Sequence, residues 1–135
     1  SRPNFRLASE FLMSTATKHD NIAAISIGNL RHYHRDLPST HVIAPGSPIT
    51  SISRVVTDSG TTWIVIQSGR SGIAPVLQEW LNTSCRLEKT IQRKRYDYYT
   101  NRIDIFSTDA QRLLASLDEG SQPPALDEPA WFQSK

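Results

Sequence analysis

Cysteine is nearly absent from this chain, because Cys85 is the only one among 135 residues. A single thiol excludes an intrachain disulfide and a cysteine-rich zinc site. No apolar run approaches the roughly 20 residues that cross a bilayer, and no apolar segment of the signal-peptide kind is present. We therefore expect a soluble chain. Since it begins at Ser1 without methionine, we also expect it to be an excised piece of a longer protein or a trimmed product.

Charge is unevenly distributed along the chain, although the net charge is only +2. The first 117 residues contain 14 Lys and Arg against 9 Asp and Glu, whereas the last 18 contain one Lys against four acids. A basic body with an acidic tail suits a nearby anionic surface or a phosphate-bearing ligand. The alternative is an ordinary solvated surface.

The stretch from Trp63 to Leu81 predicts a strand, a tight turn and a helix. Residues 63–66 are apolar and rich in β-branched side chains, as in a strand that is buried on both faces. Pro75 suits the first turn of a helix, and the apolar residues after it recur at helical spacing. A strand, turn and helix in this order form the repeating unit of α/β domains.

Further elements are predicted on either side of this unit. We expect helices at residues 5–17, 30–35 and 110–117, a helical turn or loop at 47–54, and strands at 22–27, 41–44, 85–92 and 102–106. The last two strands alternate like an antiparallel hairpin at a sheet edge, with Cys85, Leu87 and Ile91 on one face.

This order of elements predicts the fold class. It is an α/β fold, a three-layer sandwich with a mostly parallel central sheet and an antiparallel edge hairpin. We expect residues 1–117 to form the α/β domain. Residues 118–135 are expected to be an irregular, acidic tail because they contain Gly120 and three prolines.

The predicted turn after the central strand is a candidate anion site. Ser68, Gly69, Arg70, Ser71 and Gly72 follow the strand and open a helix, where free N–H groups and the helix dipole favour an anion. The turn matches neither the Walker pattern nor the dinucleotide fingerprint, and its glycines also suit a merely tight turn. Ile73 stands where a nucleophile elbow has its second glycine, so we assign no catalytic role to Ser71 and predict no catalytic residue in this chain.

A polar cluster after the first predicted strand is another candidate for binding. Arg31, Tyr33 and His34 follow the first predicted strand and would line a cleft with Arg70, unless they form a solvated helix face. The histidine spacing does not suit a metal pair, so we predict no metal site and no cofactor.

A basic run precedes the last predicted strand. Arg93, Lys94 and Arg95 form this surface patch together with neighbouring tyrosines. Such a run suits nucleic acid or anionic lipid headgroups, and it also protects an edge strand from pairing with another chain.

The chain resembles the soluble region that follows the last membrane helix of many bacterial polytopic glycosyltransferases. The resemblance covers residues 5 to 107. The motifs that carry it are Phe11-Leu12, Asp20, Tyr33, Trp63-Ile64-Val65, Trp80-Leu81, Cys85-Arg86-Leu87 and Arg95-Tyr96-Asp97. That family is similar to the dolichyl-phosphate-mannose–protein mannosyltransferases and the bacterial aminoarabinose transferases, which take sugar from a polyprenyl-phosphate donor.

The resemblance implies an accessory domain on the periplasmic or extracellular side of the membrane. Catalysis would belong to the membrane part of the same polypeptide, and this domain would bind acceptor or lipid phosphate. One alternative is a free-standing α/β protein that binds a phosphorylated small molecule at residues 68–72 and 31–34. A second alternative, less favoured, is nucleic-acid binding through residues 93–99, which requires steeply salt-dependent affinity.

Overall fold

The computed structural model describes residues 4–25, 27, 36–44, 46–56, 60–68, 73–92 and 102–120. The helices and strands are, in chain order, α1 (Phe5–Thr15), β1 (Asn21–Ile25), β2 (Ser39–Ile43), α2 (Ile49–Ser53), β3 (Thr62–Ser68), α3 (Pro75–Ser84), β4 (Arg86–Ile91), β5 (Arg102–Thr108) and α4 (Ala110–Gly120). The predicted helix at 30–35 lies outside the described residues. α4 continues three residues past its predicted end at Leu117, into the segment expected to be irregular. Among the described helices, none is long and apolar enough to cross a membrane.

The five strands form one open sheet in the order β2-β1-β3-β5-β4. β1 pairs in parallel with both β2 and β3, whereas β5 pairs antiparallel with both β3 and β4. Four strands therefore run in one direction and β5 runs in the other. The mixed α/β class is confirmed, and the predicted antiparallel pair lies at one edge of the sheet.

Apolar side chains cover both faces of the sheet. The α1-face cluster contains Ala8, Leu12, Ile22, Ala24, Ile27, Leu37, Trp63, Val65, Ile91, Ile103 and Ile105. The α3-face cluster contains Ala23, Ile25, Ile43, Ile52, Val55, Ile64, Ile66, Leu77, Trp80, Leu81, Cys85, Phe106 and Leu113. Successive residues of β1 and β3 enter opposite clusters, because side chains alternate across a strand. The prediction that residues 63–66 form a strand buried on both faces is confirmed, and β1 is buried in the same way.

A β-bulge in β4 changes the face on which its side chains lie. Leu87 pairs with Phe106 and Lys89 pairs with Ile105, so β4 has one extra residue between two successive partners on β5. Cys85 therefore enters the α3-face cluster, whereas Ile91 enters the α1-face cluster. Leu87 is 53% exposed. The prediction that these three residues form one apolar row is wrong, because the extra residue inverts the alternation.

Local chemistry explains where the longer helices begin. The Asn4 side chain accepts a hydrogen bond from the Leu7 N–H (3.1 Å) and caps α1, while Asp109 accepts one from the Arg112 N–H (2.7 Å) and caps α4. α3 begins at Pro75, as predicted, because proline lacks the N–H that would have no partner in the first turn.

Candidate functional site at the carboxyl edge of the sheet

β1, β2, β3 and β4 all end at the same edge of the sheet, here named the carboxyl edge. Ile25, Ile43, Ser68 and Ile91 are their last residues. Arg102 begins β5 at this edge, because it is the register partner of Ser68. The opposite end, where these four strands begin, is named the amino edge.

The described residues of the connections that leave β1 and β3 lie on opposite faces of the sheet. Ile27 and Leu37 lie near the two ends of the connection to β2, and both belong to the α1-face cluster. α3 connects β3 to β4 and contributes Leu77 and Leu81 to the α3-face cluster. β2 and β4 lie on opposite sides of the β1–β3 pair, so two right-handed crossovers must use opposite faces. The chain thus reverses its winding between β1 and β3, which makes a topological switch point.

The sequence-predicted ligand residues follow strands that end at this edge. Ser68 is the last residue of β3, and its backbone is described. The others lie outside the described residues, and they are Arg31, Tyr33 and His34 after β1, Gly69, Arg70, Ser71 and Gly72 after β3, and Arg93, Lys94 and Arg95 after β4. The structure therefore describes the strand ends that precede these residues and not the residues themselves.

Three further polar residues lie at this edge and are not among the sequence-predicted ligand residues, and they are Thr90, Asp104 and Arg102. The Thr90 hydroxyl donates a hydrogen bond of 2.8 Å to Asp104 Oδ1. The Arg102 guanidinium lies 3.2 Å from Asp104 Oδ2. Asp104 is only 4% exposed, and its register partners are Ile66 on β3 and Thr90 on β4. An acid between two isoleucines in an alternating strand was the available signal.

The amino edge is held together by the carboxylate of Asp20, which ends the turn between α1 and β1. Its Oδ2 accepts from the Thr17 N–H (2.8 Å) and the Trp63 indole N–H (2.9 Å), and its Oδ1 accepts from the Thr61 N–H (2.9 Å). Burial raises the pKa of Asp20, but the hydrogen bonds outweigh burial and hold the pKa below its ordinary value. The Trp63 ring also meets the Phe11 ring edge-on at 6.1 Å. Asp20 is a structural residue, since all of these donors belong to the fold.

A groove of about 250 Å³ also opens at the amino edge, between β4, β5 and the start of α4. Its two carboxylates already have partners within the protein. Glu88 accepts from the Ser107 hydroxyl (2.8 Å) and lies 3.4 Å from the Arg86 Nε, while Asp109 caps α4. These contacts stabilise the fold, and they leave the carboxyl edge as the better candidate for binding.

Cys85 lies beside this groove, immediately before β4. Burial raises the pKa of its thiol to about 12. The thiol is therefore protonated at neutral pH and is a poor nucleophile or metal ligand. Within the ranges that the structure describes, no three His, Cys, Asp or Glu side chains lie close enough together to hold a metal ion.

No protein-family model, no curated protein and no solved structure matches this chain. The likeness of residues 5 to 107 to glycosyltransferase domains therefore stays a prediction. The functional interpretation depends on the geometry of the carboxyl edge and on the residues that follow the strands ending there.

Proposed function

We propose that this chain is a non-catalytic binding domain whose carboxyl edge binds a phosphate-bearing ligand. In the fuller form of the proposal, it is the accessory domain of a membrane-embedded glycosyltransferase that uses a polyprenyl-phosphate sugar donor. The domain would then bind acceptor or lipid phosphate, while bonds are made and broken in the membrane part of the same polypeptide.

The observation that carries the proposal is the switch point between β1 and β3. In open α/β sheets, ligands collect in the crevice outside the carboxyl ends of the strands at such a point. The residues that follow these two strands include Arg31 and Arg70. The Ser–Gly turn predicted at residues 68–72 precedes α3, whose N-cap residue is Ala74. The methyl side chain of alanine cannot accept a hydrogen bond from the first helical N–H groups, and this favours an anion there.

Two of the buried titratable groups, Asp20 and Cys85, lie at the amino edge and support a binding role. The Asp20 carboxylate receives three donors from the fold, and the Cys85 thiol has its pKa raised by burial. Neither is suited to proton transfer or nucleophilic attack at neutral pH.

The resemblance of residues 5 to 107 supports the glycosyltransferase part of the proposal. Three residues of that resemblance contact one another, since Trp63 binds Asp20 and packs on Phe11. We place the domain on the periplasmic or extracellular face of the membrane, with the membrane part of the same polypeptide and anionic lipid as its partners.

We also propose that the fold is a three-layer sandwich. α1 contributes Ala8 and Leu12 to one buried cluster, while α2, α3 and α4 contribute Ile52, Leu77 and Leu113 to the other. Helices on both faces are the arrangement expected when crossovers run in both directions from a parallel pair.

A titration of the purified chain tests the binding function. We expect inorganic phosphate, pyrophosphate or a sugar phosphate to bind the wild type with micromolar to millimolar affinity and to bind R70A at least tenfold more weakly. Vesicles that contain an anionic phospholipid form the second arm, with neutral vesicles as control. Failure of every probe to bind in either arm would refute the binding function.

The glycosyltransferase part needs a separate test. The full-length gene product is expected to contain several membrane-spanning segments upstream of residue 1. Their absence, together with phosphate binding that R70A weakens, would favour the second candidate, a free-standing protein that binds a phosphorylated small molecule. The switch point favours this second candidate equally.

A further inference from the structure

The groove at the amino edge is lined by charged groups of both signs. Arg86 and Glu88 come from β4, whereas Asp109 and Arg112 come from the cap and the first turn of α4. Two guanidinium groups and two carboxylates therefore border the same small volume. Their formal charges cancel, although each group remains a strong hydrogen-bonding partner.

We propose that this groove is a second binding site, which takes one uncharged sugar ring. An anion placed among these groups would be attracted by two of them and repelled by the other two, and a cation would fare no better. A hydroxyl group uses both signs, because it donates to a carboxylate and accepts from a guanidinium. A compact ring that carries several hydroxyls is therefore the ligand class that this lining favours.

The site is separate from the one proposed above. The groove opens at the amino edge, whereas the switch point lies at the carboxyl ends of β1 and β3. The inference depends only on residues that the structure describes, and it holds whether or not the carboxyl edge binds a phosphate.

The size of the groove limits the ligand to a small one. Its volume of about 250 Å³ lies just below the roughly 300–1,000 Å³ of sites for drug-sized ligands. Trp63 contributes to the lining, and its indole N–H donates to Asp20 (2.9 Å) within the fold. The ring therefore offers a ligand its carbon surface, which suits the C–H groups of a sugar.

The two carboxylates are held in place by the fold. Glu88 Oε1 accepts from the Ser107 hydroxyl (2.8 Å) and lies 3.4 Å from Arg86 Nε, and Asp109 Oδ1 accepts from the Arg112 N–H (2.7 Å). These contacts do not bury the β4 pair, since the Glu88 side chain is 26% exposed and that of Arg86 is 71% exposed. A carboxylate has about four acceptor positions on its two oxygens, so one group can stabilise the fold and also bind a ligand. Groups that are already ordered lower the entropic cost of binding.

An NMR titration of the full chain tests the site. The probes are the methyl glycosides of mannose, glucose, galactose and N-acetylglucosamine. The amide signals of Ser107 and Arg112 report on the groove, and those of β2, at the far side of the sheet, serve as reference. We expect at least one glycoside to shift the groove signals saturably, with a dissociation constant of about 1–10 mM. Sorbitol, an open-chain polyol, and the ions acetate and methylammonium should not.

Two variants and a matched control assign the binding to the charged lining. E88Q and R112Q each remove one charge, and the glutamine of E88Q keeps an oxygen for the Ser107 hydroxyl. We expect each variant to bind the glycoside about tenfold more weakly. K89Q is the control, because Lys89 is an exposed neighbour of Glu88 on β4 outside the described lining, and it should bind like the wild type. Circular dichroism first establishes that each variant is folded.

The outcomes separate this site from the proposed function. No saturable shift at about 100 mM glycoside would refute the sugar site, and so would equal shifts with sorbitol or a response to acetate alone. Equal losses from K89Q and E88Q would also contradict it. A chain that binds a glycoside but no phosphate probe retains this inference and refutes the function at the carboxyl edge, and the reverse result does the opposite. Tighter binding of a disaccharide of the same sugar indicates a glycan as the source, whereas equal binding indicates a single sugar, and both retain the site.

Discussion

The two edges of the sheet use the same residue types for different purposes. At the amino edge, the carboxylate of Asp20 is buried among donors that come entirely from the fold, including two backbone N–H groups and the Trp63 indole. At the carboxyl edge, the carboxylate of Asp104 is equally buried, but one of its partners is Arg102, which reaches solvent. The described partners of Asp20 all lie within the fold, whereas Asp104 contacts a guanidinium that reaches solvent.

This difference follows from the topology rather than from composition. The turns at the amino edge bring the chain into β1 and β3, and Asp20 ties both turns together. The carboxyl edge is where the winding direction reverses and where no single connection can cover both strands. We therefore expect substitutions of Asp20 and Gly60 at the amino edge to change stability without changing phosphate affinity, and we expect R70A to weaken phosphate binding.

The largest effect is expected from D20A. Three buried or half-buried donors would lose their acceptor, at about 3–5 kcal/mol in the free energy of unfolding. Urea denaturation followed by Trp63-sensitive fluorescence measures the loss, and phosphate affinity should stay unchanged. D109A is the control, because it removes an exposed helix cap worth about 1 kcal/mol. Equal losses from the two variants would contradict the role given to Asp20.

A somewhat smaller loss is expected from G60A. Gly60 has φ of +120°, and a Cβ there would lie 2.6 Å from the His19 carbonyl oxygen and 2.9 Å from Asp20 Oδ1. We expect about 2–3 kcal/mol of destabilisation from backbone strain and this contact. Thermal unfolding of G60A, D20A and the double variant forms a cycle. The two losses should be less than additive because both substitutions weaken the contact between the same two turns, and strict additivity would separate Gly60 from Asp20.

The sequence predicted elements whose signals are local. The run at 63–66, Pro75 and the alternation around 102–106 each depend on neighbours within a few residues, and these elements were found. The bulge was missed because it depends on which residues of β4 and β5 become partners. The bond from Trp63 to Asp20 spans 43 residues, and no periodicity encodes it.

The candidate site was predicted in the same partial way. The turn at 68–72 was predicted from its glycines and its place after a strand, and residues 69–72 lie outside the described residues. The site also depends on β1 lying beside β3, and no local sequence pattern predicts which strands become neighbours. Asp104 was missed because alternation within one strand does not show that β4 and Arg102 contact it in the folded chain.

Acid provides a third and milder test of the amino edge. The pKa of Asp20 is lower in the folded protein than in the unfolded chain, so the ionised form contributes stability above the unfolded value, near 3.8. This contribution is lost as the pH falls through the lower, folded value. We expect the stability gap between wild type and D20N to be constant above about pH 5 and to narrow below about pH 4. Urea denaturation across that range measures the gap, and a gap that widens in acid would contradict the sign.

The smallest effect concerns Cys85, the single thiol, which lies at the amino edge. With a pKa raised to about 12 by burial, it should react with a thiol reagent at neutral pH only when the fold opens. The labelling rate of the native protein should be far below that in guanidinium, where one thiol per chain reacts. If the amino edge opens as a local unit, D20A should accelerate labelling more than a carboxyl-edge variant of equal free energy of unfolding. Equal acceleration by both would mean that the edges open together, because the thiol would then report only global unfolding.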